Sequence, residues 1–356
     1  GAPFGGKLFI YVQISGNVIK KVVFSLKNRP KLTYIKDRLK SAKDRRSIKI
    51  ELAAAFPDQE FNGQVHYIEH HLAHLSSAFH VSPYNDAVVV SVDGFGDFAS
   101  ACWGVGRGKD ILVGDKVYYP HSLGLFYQAL TKFLGFPHYG DEYKVMGLAP
   151  YGEPKYLEEM REIVYLKEDG SFKLNMEYFC HHKENVEYTW DGGAPVEAGN
   201  LFTPALETLL GTTAREKNEQ LTQKHMDIAS SIQAMYEEAF FHLINKLHER
   251  HGLDSLCIAG GCGNNSVANG KIKRNSPYKH VYVQSAAGDA GGAIGAAFVT
   301  HHQLNPQAGR DFVMDHAYWG PQFKNCEISE LLEANSERIK VEGCEVERIE
   351  CETELC

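Results

Sequence analysis

The chain has 356 residues, 44% hydrophobic and 23% charged, with a formal net charge of −8. That length suits two or three lobes with cores of their own. No run of roughly 18 apolar residues is present to span a membrane, and the acid excess disfavours nucleic acid as a partner. The opening GAPFGGKLFIYV lacks the charged and apolar regions of a secretion signal, so a cytoplasmic protein is expected. Eight cysteines without CxxC spacing suit reduced thiols rather than a disulfide framework or a zinc ribbon. Seventeen histidines are unusual, and they gather near 66–80, 121–138 and 180–182.

In chain order, KLFIYVQI and VIKKVVFSL flank Gly16-Asn17 and predict a hairpin. Residues 31–55 read as a basic helical stretch whose strip 36–49 faces either solvent or an anion. YIEHHLAHLSSAFH (67–80) predicts a helix with Ile68, Leu72, Leu75 and Phe79 on one side. At ~100° per residue His70 and His74 then stack one turn apart on the opposite side. Two imidazoles so placed either bind one cation or face water. The zinc-protease version needs Glu directly after the first histidine, where His71 stands here.

DAVVVSVDGFGDFASACWGVGRG (86–108) predicts two apolar strands joined by a tight Gly-rich turn. SLGLFYQALTKFLGF (122–136) predicts an amphipathic helix whose start, His121-Ser122, suits an anion or a simple cap. In GDEYKVMGLAPYGEP (140–154), Lys144 beside Gly147 and Gly152 could neutralise a phosphate and Glu142 could accept ribose hydroxyls. The alternative is a surface ion pair. Residues 155–220 read as an inserted, polar region. MDIASSIQAMYEEAFFHLINKLHERHG (226–252) is the clearest helix, with Asp227 as a candidate cap and Gly252 at its end.

SLCIAGGCGNNSVANGKI and HVYVQSAAGDAGGAIGAAFVT both predict a strand, a glycine turn and a helix. Strands alternating with helices give an α/β protein. Asp93 ends one buried strand and Asp289 lies between a strand and a helix, where α/β folds place ligand chemistry. Each acid is otherwise a turn or capping residue. Two His and two Asp would form a mixed N/O site suited to Fe(II), Mn(II) or Zn(II). Gly260 and Gly261 would let a ligand approach the backbone, or would simply make a tight turn. Neither a P-loop nor a dinucleotide GxGxxG is present.

Five segments in order now resemble the nodulation-protein and antibiotic O-carbamoyltransferases: EHHLAHLSSAFHVSPYNDAVVVSVDGFGD, YPHSLGLFYQALTKFLGF, GDEYKVMGLAPYGEP, GGCGNNSVANGKI and VYVQSAAGDAGGAIGAA. The resemblance covers about 65 to 300. The family's amino-terminal domain is similar to the tRNA threonylcarbamoyl-transfer enzymes. It implies a two-lobed actin/sugar-kinase/heat-shock ATPase-like fold, here incomplete at both ends. It also implies a divalent metal, iron in the first place with zinc and manganese as alternatives, on His70, His74, Asp93 and Asp289.

A carbamoyl-adenylate or adenine nucleotide would lie along Gly260, Gly261 and Asn265, with Glu142, Lys144 and Gly152 assisting. His71 is the candidate to tune the site or deprotonate a hydroxyl. The chain departs from the family in lacking an HDASA-type opening, in Gly263, Asn264 and Ser285, and in stopping before a GPRALG segment. The expected organisation is a partial first lobe at 1–85, a second lobe at 86–325 with an insertion at about 155–220, and a tail at 326–356. That tail would lead to an absent activation domain that makes carbamoyl-adenylate from carbamoyl phosphate and ATP. The expected reaction is carbamoyl transfer to a hydroxyl of a sugar or antibiotic-like small molecule. The alternatives are a tRNA threonylcarbamoyl transferase or a non-catalytic nucleotide-binding scaffold.

Overall fold

The structure is a computed structural model that describes residues 48–349, apart from 185, 187 and 190–195. The expected hairpin around Gly16 and most of the basic strip lie outside the described residues. Two compact units divide between Asp315 and His316. The first opens with α1 (Ile48–Ala55) and α2 (His70–Phe79), followed by strands β1 (Asp86–Gly96), β2 (Ala99–Arg107) and β3 (Asp110–Tyr118). Helices α3 (Leu123–Phe133), α4 (Glu142–Leu148) and α5 (Leu157–Ile163) come next. Two small pairs follow, β4 (Val164–Leu166) with β5 (Phe172–Leu174) and β6 (Tyr188–Thr189) with β7 (Glu197–Ala198). The unit continues with α6 (Pro204–Leu210), α7 (Gln223–His251), β8 (Ser255–Ala259), α8 (Ser266–Asn269), α9 (Ile272–Asn275), β9 (His280–Val283) and α10 (Asp289–Leu304).

The central sheet runs β3-β2-β1-β8-β9. Its β1–β2 and β2–β3 pairs are antiparallel, while β1–β8 and β8–β9 are parallel. Strand β1 shows why the sheet carries helices on both faces. Val88, Val90 and Val92 enter the large core with α3 and α7, while Ala87 and Val89 enter a second cluster with Leu75 and Phe79 of α2. A period of two with apolar residues on both sides is the pattern of a strand covered twice. Helix α10 then covers α2 through Ile68, Ala73, Ala296 and Val299.

The histidine helix packs directly on the central sheet within the first compact unit. One five-stranded sheet is described, and it is mixed α/β. The apolar stripe of α7 is buried at Ile228, Ile232, Met235, Ala239, Leu243 and Leu247. Gly252 closes that helix at φ +63. The cap is Thr222 with His225, not Asp227. The Asp227 carboxylate instead accepts from the Glu153 amide at 3.0 Å and from Lys155 Nζ at 3.0 Å, pinning the loop after α4. No described helix is long and apolar enough to cross a membrane.

Beyond α10 the chain straps back across the end of α2. Arg310 Nη2 donates to the carbonyls of Phe79 (2.6 Å) and Ser82 (2.8 Å), and Nη1 to those of Tyr84 (2.8 Å) and Gly108 (2.9 Å). Its guanidinium lies 4.2 Å from the Phe79 ring centroid. A cation at the carboxyl end of a helix satisfies carbonyls that have no partner within it. In the second unit, α11 (Asn325–Ala334) and α12 (Ser336–Val341) are helical where only a charged tail was expected, and none of their residues is buried.

His181 sits under the segment that leads into α3. Its Nε2 donates to the Pro120 carbonyl at 2.9 Å, while Nδ1 is buried without a partner. Burial lowers this imidazole to about 3. The folded value lies below the unfolded one, so the stabilisation is complete above the ordinary histidine range and is lost as pH falls through it. We expect the urea unfolding free energy to drop between pH 7 and pH 5 by about 2 kcal/mol more in the wild type than in His181→Gln.

Candidate metal centre and adjoining cleft

Three elements bring the candidate ligands together. His70 and His74 lie one turn apart on α2. Asp93 lies near the carboxyl end of β1, beside the end of β8, because Ser91 pairs with Ala259 in the parallel register. Asp93 Oδ1 accepts from the Gly261 amide at 2.9 Å, and its backbone carbonyl accepts from the Ser122 hydroxyl at 3.0 Å. Asp289 is the first residue of α10. That helix approaches α2 because Gly295 has no side chain: a Cβ there would lie 1.8 Å from the Ala73 carbonyl oxygen.

The four ligand atoms lie within 4.8 Å of one another. The two Nε2 atoms are 3.0 Å apart. Asp93 Oδ2 is 2.8 Å from His70 Nε2 and 3.4 Å from His74 Nε2, and Asp289 Oδ1 is 3.7 Å and 3.4 Å from the same atoms. Donor atoms roughly 2.1 Å from a shared ion lie about 3.0 Å apart at right angles and about 3.4 Å apart at the tetrahedral angle. The observed separations span those values, so this N/O donor set fits a divalent cation. The Asp289 side chain is 76% exposed and that of His74 only 1%, so the centre opens on the Asp289 side.

The electrostatics agree with the geometry. Burial alone would lower His74, but hydrogen bonds to Asp289 and Asp93 outweigh it and raise the imidazole to about 9. Burial would raise Asp93, yet the same imidazoles hold its carboxyl well below the usual range. Asp289 is lowered chiefly by its hydrogen bond to His74. The pair of carboxylates thus favours positive charge between them, and a proton and a cation compete for the Nε2 lone pair. Of the two readings of the histidine pair, the one in which it faces water does not hold, because α10 and the turn after β1 cover it.

A cleft of ≈ 320 Å³ adjoins the centre, with Asp93 in the shared wall. Glu142, Gly261 and Asn265 line it; Gly260, Lys144, Gly152 and His71 do not. Burial raises the Glu142 carboxyl. The Asn265 side chain is committed to Gln233 (3.0 and 3.1 Å) and to the Ala268 amide (3.0 Å), so its amide group is a strut rather than a free ligand contact. Gly260, at φ +89, lets the β8 end pass the Val92 carbonyl, which a Cβ would meet at 2.2 Å. Gly152 packs on Met226, whose carbonyl oxygen lies 2.1 Å from its Cβ position.

Lys144 is paired with Asp141 at 2.6 Å, which is the surface-pair alternative. His71 is fully buried, with Nδ1 3.0 Å from the Ser91 hydroxyl, and burial and nearby His70 lower it to about 4. It has no solvent-facing edge in this structure and packs beneath His70 and His74, with ring centroids 5.1 and 6.1 Å away. Sequence reading missed Gly96, Gln128, Tyr139 and Tyr143. The first backs the His70 ring and the other three line the cleft.

Residues 45–298 match the family model of the carbamoyltransferase N-terminus. The chain belongs to that family, and the resemblance carried by the five motifs is confirmed. It is 31% identical over 296 residues to the nodulation protein NolNO of Sinorhizobium fredii, covering 83% of this chain and 40% of that protein. To the nodulation protein NolO of Bradyrhizobium diazoefficiens it is 34% identical over 267 residues, covering 74% and 43%. An uncharacterised Synechocystis protein, sll1178, is 40% identical over 268 residues, covering 74% and 41%. The chain thus spans about two fifths of the length of these curated relatives. Among solved structures, HypF of T. kodakarensis aligns with a TM-score of 0.38 at 18% identity, over 74% of this chain and 40% of that one.

Gly96 supplies a test of the centre. A Cβ there would lie 2.0 Å from His70 Cδ2, so Gly96→Ala must displace the imidazole. We expect about ten-fold or greater loss of Co(II) affinity by chelator competition. Unaltered affinity would show that His70 is not held as a ligand.

Proposed function

We propose that the chain is the transfer part of an O-carbamoyltransferase, which moves a carbamoyl group from carbamoyl-adenylate to a hydroxyl of a sugar or antibiotic-like small molecule. The observation that carries this reading is the convergence of His70, His74, Asp93 and Asp289 within 4.8 Å at the wall of a cleft. Membership of the family supports the reaction class. Fe(II) is the proposed ion, because nitrogen and carboxylate donors suit it, with Zn(II) and Mn(II) as the alternatives. A divalent ion there would polarise a carbonyl or phosphoryl oxygen of the donor.

The chain's own residues orient the reactants. The turn at Gly261, Cys262 and Asn264 forms the cleft wall along which the donor's phosphate would lie, and Glu142 lines the cleft where ribose hydroxyls would sit. The acceptor oxygen attacks the carbamoyl carbon, the bond from that carbon to the phosphate oxygen breaks, AMP departs and the hydroxyl proton passes to solvent. AMP is a good leaving group, so positioning and charge stabilisation supply most of the acceleration. The reading includes a two-lobed ATPase-like fold in the whole protein, a cytoplasmic setting, and a separate domain or protein that forms carbamoyl-adenylate from carbamoyl phosphate and ATP.

Two measurements decide it. After reconstitution with Fe(II), elemental analysis should find about one ion per wild-type chain and at least ten-fold less after His74→Ala; stoichiometric iron in the variant removes the centre. The wild-type chain, given carbamoyl phosphate, ATP, an amino-sugar panel and the carboxyl-terminal part of a NolO-type relative, should form a carbamate and AMP. Tight nucleotide binding without carbamate from any acceptor would instead identify a scaffold.

A further inference from the structure

His70 is the first residue of α2, where the helix itself offers its amide no acceptor. That amide donates to Asp97 Oδ2 at 3.0 Å. Asp97 and Phe98 form the two-residue loop between β1 and β2, closed by the Gly96–Ala99 pair. Both loop residues have positive φ, +48 and +71, which is the pattern of a type I′ turn. Neither is glycine; aspartate tolerates this region, whereas the aromatic Phe98 is disfavoured there. The glycines of DGFGD lie elsewhere, and Gly96 faces the His70 ring.

The strain is maintained by contacts outside the turn. The Tyr119 amide donates to the Phe98 carbonyl at 3.1 Å, and the Phe98 and Tyr119 rings meet at 5.4 Å between centroids. On the other side of the helix start, Glu69 accepts from the Leu72 amide at 2.8 Å and is itself held by Lys116 Nζ at 2.7 Å. His74, one turn further in, is fixed by burial. His70 depends on its neighbours: its ring rests on Gly96 and its backbone hangs on Asp97.

We infer that Asp97 is a positioning residue, which through the strained turn sets the backbone of His70 and thereby the geometry of the cation centre. This rests on the reading of that centre given above. Asp97 is neither one of the four candidate ligands nor part of the cleft lining; it acts through His70.

Asp97→Gly separates the two roles, because it removes the acceptor while relieving the positive φ. With Co(II) as probe, followed by its visible absorption and by chelator competition, we expect Asp97→Gly to weaken binding by about ten-fold or more and to alter the spectrum. Its urea midpoint should equal or exceed that of the wild type. Asp97→Asn, which keeps an oxygen acceptor, should restore affinity and spectrum. Wild-type affinity and spectrum in Asp97→Gly would overturn the inference. So would equal losses in Asp97→Asn and Asp97→Gly, which would assign the effect to charge. A wild-type chain that binds no Co(II) would overturn the centre itself, and this inference with it.

Discussion

The close crossing of α10 over α2 is the contact on which the candidate site depends. It is made at Gly295, whose Cα lies against the backbone of Ala73 and Ser77, and is fixed by the Ser76 hydroxyl donating to the Gly295 carbonyl at 2.7 Å. These two residues are 219 positions apart in the chain. Because α10 begins at Asp289, the same crossing that seals Ile68, Ala73, Ala296 and Val299 from water carries a carboxylate to His74. A larger residue at the crossing would push the helices apart, since packed interiors yield little. Packing and ligand geometry are one constraint here.

The charge pattern of the cleft follows from that centre. Its lining includes the carboxyls of Asp93 and Glu142 but, among the described residues, no lysine or arginine. An anionic donor placed there would meet repulsion unless positive charge came from the cation centre or from the helix start at Ser122. On the proposed reading, the cation is therefore part of donor recognition as well as of the chemistry. Lys144, the obvious basic residue in the sequence of that loop, is bound to Asp141 and does not line the cleft.

Much of this arrangement is legible in the sequence. Alternation in β1, the stripe of α7 and the strand–turn–helix runs around 260 and 289 are local patterns, and local patterns survive into the fold. Longer-range features are harder to read. Sequence periodicity assigns α2 one wet face, but a helix pressed between a sheet and another helix has none, so the histidines are buried for tertiary reasons. In sequence a glycine loop suits either a ligand's approach or a tight turn. Gly152, Gly260 and Gly295 admit protein backbone, and Gly96 an imidazole. The left-handed turn falls on Asp97, which tolerates that conformation, and on Phe98, which residue preference would not select.

Helix α2 itself is the clearest case of structure imposed from outside. Its ten residues, HHLAHLSSAF, include three histidines and two serines, and a helix so short and so composed is marginal alone in water. The surrounding fold polarises it correctly: the carboxylates of Glu69 and Asp97 take amides at its start, and the guanidinium of Arg310 takes carbonyls at its end. Negative groups at the amino end and a positive one at the carboxyl end oppose the helix macrodipole at both termini. The spacing that stacks His70 under His74 is thus produced by contacts from β3, the β1–β2 turn, α10 and the strap beyond it. Residues remote from the centre, Arg310 among them, contribute to the geometry of its ligands even though they never approach them.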